Sequence, residues 1–348
     1  MTKIQYISCH AVLEYDEVKL LTELGFEVYS NGCYRDPKGA YTLPRPGIPG
    51  AKFDQKFFDL TAQHPKTNLP PELIDPFDVI IIMSGENEKP LTENWDRIKH
   101  KRVIWRGIGQ NRPSQEAMLK KYFDDGLEVV RYSPKEKAYS NFGGQTTMIR
   151  FCKDPDEFKG WTGEEERVIN FSQSLKGRRG FCHYDEIMGA LAGFDSKVYG
   201  SGNSDLGSFN GGEVPYEMMK DLMRKSRVYV YGGTWPACYT LSLMEAMMTG
   251  MPVVAIGKQL AHLPQHEQFD FYEVDEIIEN GVNGFIGNNI QELRQHVTNL
   301  LDDHDLAKMI SKNARKTAIE YFGSKKIGEQ WKTLLLKKGA KNAKKVKR

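Results

Sequence analysis

An α/β fold with two doubly wound, parallel-sheet domains is predicted for this chain of 348 residues. Short apolar runs alternate with helical patterns along its whole length, the signature of parallel strands covered by helices on both faces. The alternation is interrupted once, by the polar segment KDPDEFKGWTGEEE (153–166), and then restarts. The length also suits two ordinary domains better than one.

The first run of strand candidates is IQYISC (4–9), FEVYS (26–30), FDVIIIM (77–83), RVIWR (102–106), LEVVRY (127–132) and TTMIRF (146–151). Helical patterns fall at Glu14–Leu24, 114–124 and 134–139. The second run is RVINFSQ (167–173), SKVYG (196–200), RVYVY (227–231) and PVVAI (252–256). Its helical patterns lie near 183–192, 215–225, 240–249, 273–279, 290–301 and 304–321. The expected organisation is a first domain over 1–152, a linker over 153–166 and a second domain over 167–322. A helix over 323–337 would cross back to the first domain, and 338–348 is a basic tail. The Gly- and Pro-rich stretch 31–76 is too long for an ordinary connection and reads either as an acceptor-binding loop or as a structural insertion.

Composition excludes several classes. Apolar residues make up 40% and charged residues 27%, as in soluble globular proteins. No run reaches membrane-span length and no signal-like segment opens the chain. Five cysteines, odd in number and without a CxxC pair, argue against a disulfide framework or structural zinc and for reduced thiols in the cytoplasm. Residues 337–348 hold seven basic groups and no acid, which leaves the rest of the chain at −5. Such a tail reads as a solvated end, or as a weak handle for nucleic acid or anionic membrane.

The stretch from Tyr231 to Gly257, YGGTWPACYTLSLMEAMMTGMPVVAIG, concentrates the functional signals. It reads as strand end, Gly-rich turn, helix, Gly, Pro, strand. The helix is apolar on nearly every side, so it is expected to be buried. Yet it carries Glu245, with no Lys or Arg within one turn. A buried carboxylate needs a partner, either a cation distant in sequence or a ligand, and the ligand is the preferred reading. Thr240 stands at the expected N-cap, and a helix start after a Gly-rich turn suits an anion. A phosphate-bearing ligand explains both features.

TLSLMEAMMTGMPVVAIG, followed by YEVDEIIENGVNGFIGNNIQEL, resembles the donor-binding half of the group 1 glycosyltransferases of GT-B fold. The resemblance covers 167–335 in motif order and 1–150 in architecture. It implies a retaining, metal-independent enzyme that uses a nucleoside-diphosphate sugar as donor, with no other cofactor and with two domains facing a central cleft. By position, Glu245 matches the second Glu of the family's Glu–seven residues–Glu motif, which binds the nucleotide ribose. The first Glu falls at Ala237, so the sugar contact made there is lost. Tyr239, Thr240 and Leu241 fall where backbone amides approach the diphosphate. The turn Gly200, Ser201, Gly202, Asn203 resembles the segment that approaches the nucleotide. NFSQSLKGRRGF supplies Lys176, Arg178 and Arg179 near the family's Arg and Lys, with Lys176 and Arg179 the candidates for neutralising the leaving diphosphate. Glu273, Asp275 and Glu276 crowd a helix start and read as ordinary dipole chemistry.

In the first domain, Ser8, His10 and Glu14 follow the first strand and would point into the cleft. Arg106 and Gln110 end another strand, and Tyr132 the next. His10 and Arg106 are candidates for acceptor or phosphate contacts, and Ser8, Glu14, Gln110 and Tyr132 for acceptor binding. These segments resemble a subgroup of uncharacterised glycosyltransferases, some of them encoded by bacteriophages. The expected acceptor is therefore a glycan, lipid or small molecule, or double-stranded DNA with hydroxymethylated bases. A non-catalytic nucleotide-sugar-binding module and a nucleotide-sugar epimerase stay open as alternatives.

Overall fold

A computed structural model describes residues 1–35, 44–53, 69–84, 88–109, 111–261 and 271–337. The chain divides into two compact units. The described part of the first is 1–35 and 44–152 together with 325–337; that of the second runs through 153–324. Gln110, half of the stretch 31–76 and the tail 338–348 lie outside the described residues.

The first unit is built on one all-parallel sheet. Its strands are β1 (Lys3–Ser8), β2 (Glu27–Ser30), β3 (Lys52–Phe53), β4 (Val79–Ser84), β5 (Arg102–Gly107), β6 (Glu128–Arg131) and β7 (Thr147–Met148). They lie in the order β3-β2-β1-β4-β5-β6-β7. In β1, Ile4 pairs with Val28 on one side and with Val79 on the other. All six residues of β4 are buried, as a central parallel strand covered on both faces requires. The helices are α1 (Ala11–Glu23), α2 (Lys89–Thr92), α3 (Trp95–Ile98) and α4 (Pro113–Asp124). Ile80, Ile82, Val103, Trp105 and Leu119 form part of one core cluster.

The second unit repeats the plan. Strands β8 (Glu165–Phe171), β9 (Ser196–Tyr199), β10 (Asn210–Gly212), β11 (Ser226–Tyr231), β12 (Val253–Ile256) and β13 (Phe285–Gly287) form a parallel sheet in the order β10-β9-β8-β11-β12-β13. Its helices are α5 (Tyr184–Leu191), α6 (Tyr216–Lys225), α7 (Leu241–Thr249), α8 (Val274–Ile277), α9 (Ile290–Asp302) and α10 (His304–Phe322). α7 is buried from Leu243 to Thr249 and ends at Gly250, whose φ of 90° is the left-handed C-cap that a side chain would strain.

The last helix, α11 (Ser324–Leu336), belongs to the first unit from Lys325 onward. There Arg102 donates to the carbonyls of Leu334 and Leu335 at 2.8 and 3.0 Å, and Trp331 is fully buried. The polar stretch 153–166 differs from a free linker, because it packs on the second unit. Lys153 and Phe158 are buried, and Trp161 Nε1 donates to the carbonyl of Ser226 at 2.9 Å. No helix among the described residues is long and apolar enough to cross a membrane.

Candidate functional site

The second sheet fixes where a ligand can bind. The chain leaves β8 for β9 and β10 on one side, then returns to β11 on the other side of β8. The carboxyl ends of β8 and β11 thus flank the point where strand order reverses, where open α/β sheets bind their ligands. Two loops meet there, 172–183 after β8 and 232–240 after β11. Trp235 N–H donates to the carbonyl of Phe181 at 2.7 Å, and Cys182 Sγ lies 3.7 Å from Thr234 Oγ1.

The loop after β8 is held in an unusual shape by its neighbour after β9. Ser172 N–H donates to Tyr199 and Ser174 N–H to Ser201. Asn203, 2% exposed, accepts from Leu175 N–H at 2.9 Å and donates to the carbonyls of Ser172 and Gly200 at 2.6 and 3.1 Å. Ser174 is thereby held at φ 43°, a left-handed conformation that costs a non-glycine residue about 1–2 kcal/mol. Gly200 has φ 133°, and a Cβ there would stand 2.4 Å from the Ser172 carbonyl oxygen. Gly200 and Asn203 thus brace this loop, and Gly202, at φ 72°, packs so closely that a Cβ there would stand 3.1 Å from Ser174 Cβ. The cations it presents differ in availability. Arg179 is committed to Asp185 through bonds of 2.6–2.9 Å. Lys176 is exposed and Arg178 half-buried, and neither has a side-chain partner among the described residues. Asp185 lies in the next helix, so Arg178 rather than Arg179 accompanies Lys176 as an unengaged cation.

The loop after β11 ends at Thr240, the N-cap of α7, whose side chain does not cap the helix. Its hydroxyl instead lies 3.2 Å from both Tyr231 Oη and Ser242 Oγ, and its N–H donates to Tyr231 Oη at 3.0 Å. The Thr240 amide is therefore spent inside the protein. The next amides, of Leu241, Ser242 and Leu243, belong to the helix start that has no intrahelical acceptor, and no side chain caps them. Tyr239 is buried, with its ring 5.2 Å from that of Phe322. Beneath this junction, burial pushes the Tyr229 and Tyr231 phenols well above their ordinary range, so both stay neutral.

Glu245, one turn further along α7, is buried and does have a partner in the protein. Lys153 Nζ donates to its Oε1 at 2.6 Å, with side-chain exposures of 1% for Lys153 and 6% for Glu245. Of the two partners that the sequence left open, the structure supplies the cation distant in sequence, 92 residues away, where the ligand was the preferred reading. Lys153 is itself fixed by backbone bonds to Phe322 and Ser324.

A small pocket opens beside this junction. Trp235, Pro236, Ala237, Phe271 and Tyr272 line it, together with His183, which is 2% exposed. The sequence reading passed over His183, Trp235, Phe271 and Tyr272. His183 stands at the N-cap of α5, and Phe271–Tyr272 precede α8, so only tertiary structure brings them together.

In the first unit, Ser8 and His10 form the turn from β1 into α1. His10 is the N-cap, with Nδ1 accepting from Leu13 N–H at 3.3 Å, and its own N–H donates to Ser8 Oγ at 3.0 Å. Glu14, on the first turn of α1, is fully buried and accepts from Gly32 N–H at 2.7 Å. Burial raises its pKa to about 7. Glu14 therefore points into the protein rather than outward. Arg106 is also a correction. It is fully buried, bound to Glu17 at 2.6 and 2.9 Å, and donates to the carbonyl of Ile149. Tyr6 Oη donates to the other Glu17 oxygen at 2.5 Å. The cation neutralises an acid on the inner face of α1 and is sealed from any acceptor. Tyr132 is 1% exposed, with its ring 5.3 Å from that of Phe151. Among the described members of this set, only Ser8 and His10 stay together at a partly accessible strand end.

No protein-family model matches this chain. A protein of Methanocaldococcus jannaschii described as an uncharacterized glycosyltransferase is 24% identical over 125 residues, 35% of this chain. The match spans 29% of that relative's length. Among solved structures, sucrose-phosphate synthase from Thermosynechococcus elongatus superposes with a TM-score of 0.68 at 14% identity, covering 96% of this chain and 98% of that one. Anabaena HepE, solved in complex with UDP and glucose, gives 0.63 at 16% identity, covering 96% and 99%. These likenesses establish the fold: two parallel-sheet, Rossmann-like domains of the GT-B type.

Proposed function

We propose that this chain is a glycosyltransferase that moves a sugar, with retention, from a nucleoside-diphosphate sugar to an acceptor hydroxyl. The observation that carries the reading is the uncapped start of α7 at the strand-order reversal, preceded by a loop that touches the β8 loop carrying Lys176 and Arg178, two cations without a side-chain partner among the described residues. Amides at a helix start and nearby cations stabilise a diphosphate as it leaves and gains charge. The relative described as a glycosyltransferase and the HepE structure with UDP support the same class. In this account the acceptor hydroxyl attacks the anomeric carbon on the face from which the diphosphate departs. The leaving phosphate oxygen takes the acceptor proton, so no separate base is needed. Leu241 and Ser242 amides, Lys176 and Arg178 hold the diphosphate. Glu245, oriented by Lys153, accepts from the ribose hydroxyls through Oε2. The donor is the only small molecule required besides the acceptor, and the reaction uses no metal. The acceptor is a glycan or lipid hydroxyl, or a hydroxymethylated base in duplex DNA.

Isothermal titration with UDP, GDP and their sugars tests this reading. Micromolar binding of one nucleotide, unchanged by EDTA, is expected. The absence of binding by every nucleoside diphosphate and its sugars would sink the proposal. A gel shift with hydroxymethylated duplex at two salt concentrations tests the DNA acceptor, whose binding must fall steeply with salt.

A further inference from the structure

One two-faced helix lies outside the site described so far. The buried face of α11, made by Ile327, Gly328, Trp331, Leu334 and Leu335, packs into the first unit. A Cβ at Gly328 would stand 3.3 Å from the side chains of Leu20 and Leu24, so the missing side chain lets α11 lie close to the end of α1. Arg102 holds the far end of α11 by donating to the carbonyls of Leu334, Leu335 and Lys337, while Glu128 neutralises it at 2.7 and 2.8 Å. The other face carries Lys325, Lys326, Lys332 and Lys337, all exposed, against a single acid, Glu329. Leu336 stands among them with 63% of its surface exposed.

The charge continues along the sequence. Residues 324–348 hold ten basic groups and one acid, a net of +9 in a chain whose total is +2, so the remaining residues sum to −7. A basic segment this dense seeks an anionic surface. Its composition favours one kind. Nine of the ten basic groups are Lys, compact point charges without the planar fork that clamps one phosphate. Trp331, the one aromatic residue of the segment, is buried, so no ring is offered for an unpaired base to stack on. An exposed leucine between lysines fits a lipid interface instead, where the apolar side chain enters and the ammonium groups stay among the headgroups.

We propose that the outer face of α11, together with residues 338–348, docks this protein on an anionic membrane surface. The lysines meet the lipid phosphates and Leu336 enters the interface. Each basic group close to such a surface multiplies the affinity about fivefold, so a few suffice. Docking does not depend on the donor-site reading; together the two make the acceptor a hydroxyl presented at a membrane.

Sedimentation of the full chain with vesicles tests it, using pure phosphatidylcholine against an equimolar mixture with phosphatidylglycerol. The protein is expected to sediment with the anionic vesicles alone, and to be released at about 0.5 M salt. Neutralising the tail (K338Q/K341Q/K344Q/K345Q/K347Q/R348Q) should weaken binding at least tenfold, on the scale of about fivefold per charge. K325E/K332E, with the tail intact and melting unchanged, should also weaken it at least tenfold, which reads the helix face separately. No binding to anionic vesicles at low salt, or an affinity untouched by K325E/K332E, would overturn the proposal. So would a plain DNA duplex that strips the protein from the vesicles at equal phosphate concentration, which would assign the basic face to nucleic acid. UDP and GDP titrations of the same proteins read the donor site on its own, so either conclusion can fail without the other.

Discussion

Replacing Lys153 by Met should destabilise the second unit strongly, and replacing Glu245 by Met as well should largely undo the damage. At 2.6 Å and an effective dielectric near 20, the pair's attraction is about 6 kcal/mol. Withdrawing each ion from water costs several kcal/mol, so the intact pair contributes little net stability. With 1% and 6% of the two side chains exposed, almost none of that hydration returns when one partner is lost. K153M alone therefore leaves a buried, uncompensated carboxylate, a loss of about 3–5 kcal/mol. For a unit of this size that corresponds to a fall in melting temperature of roughly 10 °C or more. The double variant K153M/E245M removes both charges and should lie within about 1–2 kcal/mol of the parent. Urea unfolding and calorimetry of the four proteins in the cycle give the coupling directly. A K153M protein within about 1 kcal/mol of the parent would refute the buried pair, as would a double variant as unstable as the sum of the singles.

Three further outcomes follow from the same structure. Glu14 has its pKa raised to about 7 by burial, so the folded protein binds its proton more tightly than the unfolded chain. Its contribution to stability is complete below the unfolded value near 4.5 and is lost as pH rises towards 7; E14Q should therefore gain on the parent by about 1–3 kcal/mol between pH 5 and 8, read by urea unfolding at each pH. K176A and R178A should each weaken nucleoside-diphosphate binding by roughly tenfold, the scale of one hydrogen bond to a charged group, while R179A, whose parent side chain is held by Asp185, should change it little in the same titration. G200A should destabilise the second unit by about 1–3 kcal/mol in thermal melts, since a Cβ would meet the Ser172 oxygen at 2.4 Å in a left-handed backbone.

The architecture was legible because each central strand is a run of apolar residues bounded by helical periodicity. VIIIM and VVAI can only be interior parallel strands, and both are. Strands of two or three residues, β3, β10 and β13, carry no period and escaped notice. The start of α7 was visible in its Gly-rich approach, but the use of the Thr240 amide was not, because its acceptor is a phenol on the preceding strand. The polar composition of 153–166 concealed Lys153, and no local pattern joins it to Glu245. Arg106 read as an exposed strand-end cation because Glu17, which neutralises it, lies 89 residues earlier on α1. Likewise, the choice between Arg178 and Arg179 depends on which one the helix-borne Asp185 captures.

The central claim is that a nucleoside diphosphate binds where β11 runs into α7. A crystal structure of the protein soaked with UDP or GDP tests it most directly. The account predicts phosphate density within hydrogen-bond reach of the Leu241 and Ser242 amides, with Lys176 or Arg178 turned towards it. A nucleotide bound elsewhere, with the start of α7 facing only water, would contradict it.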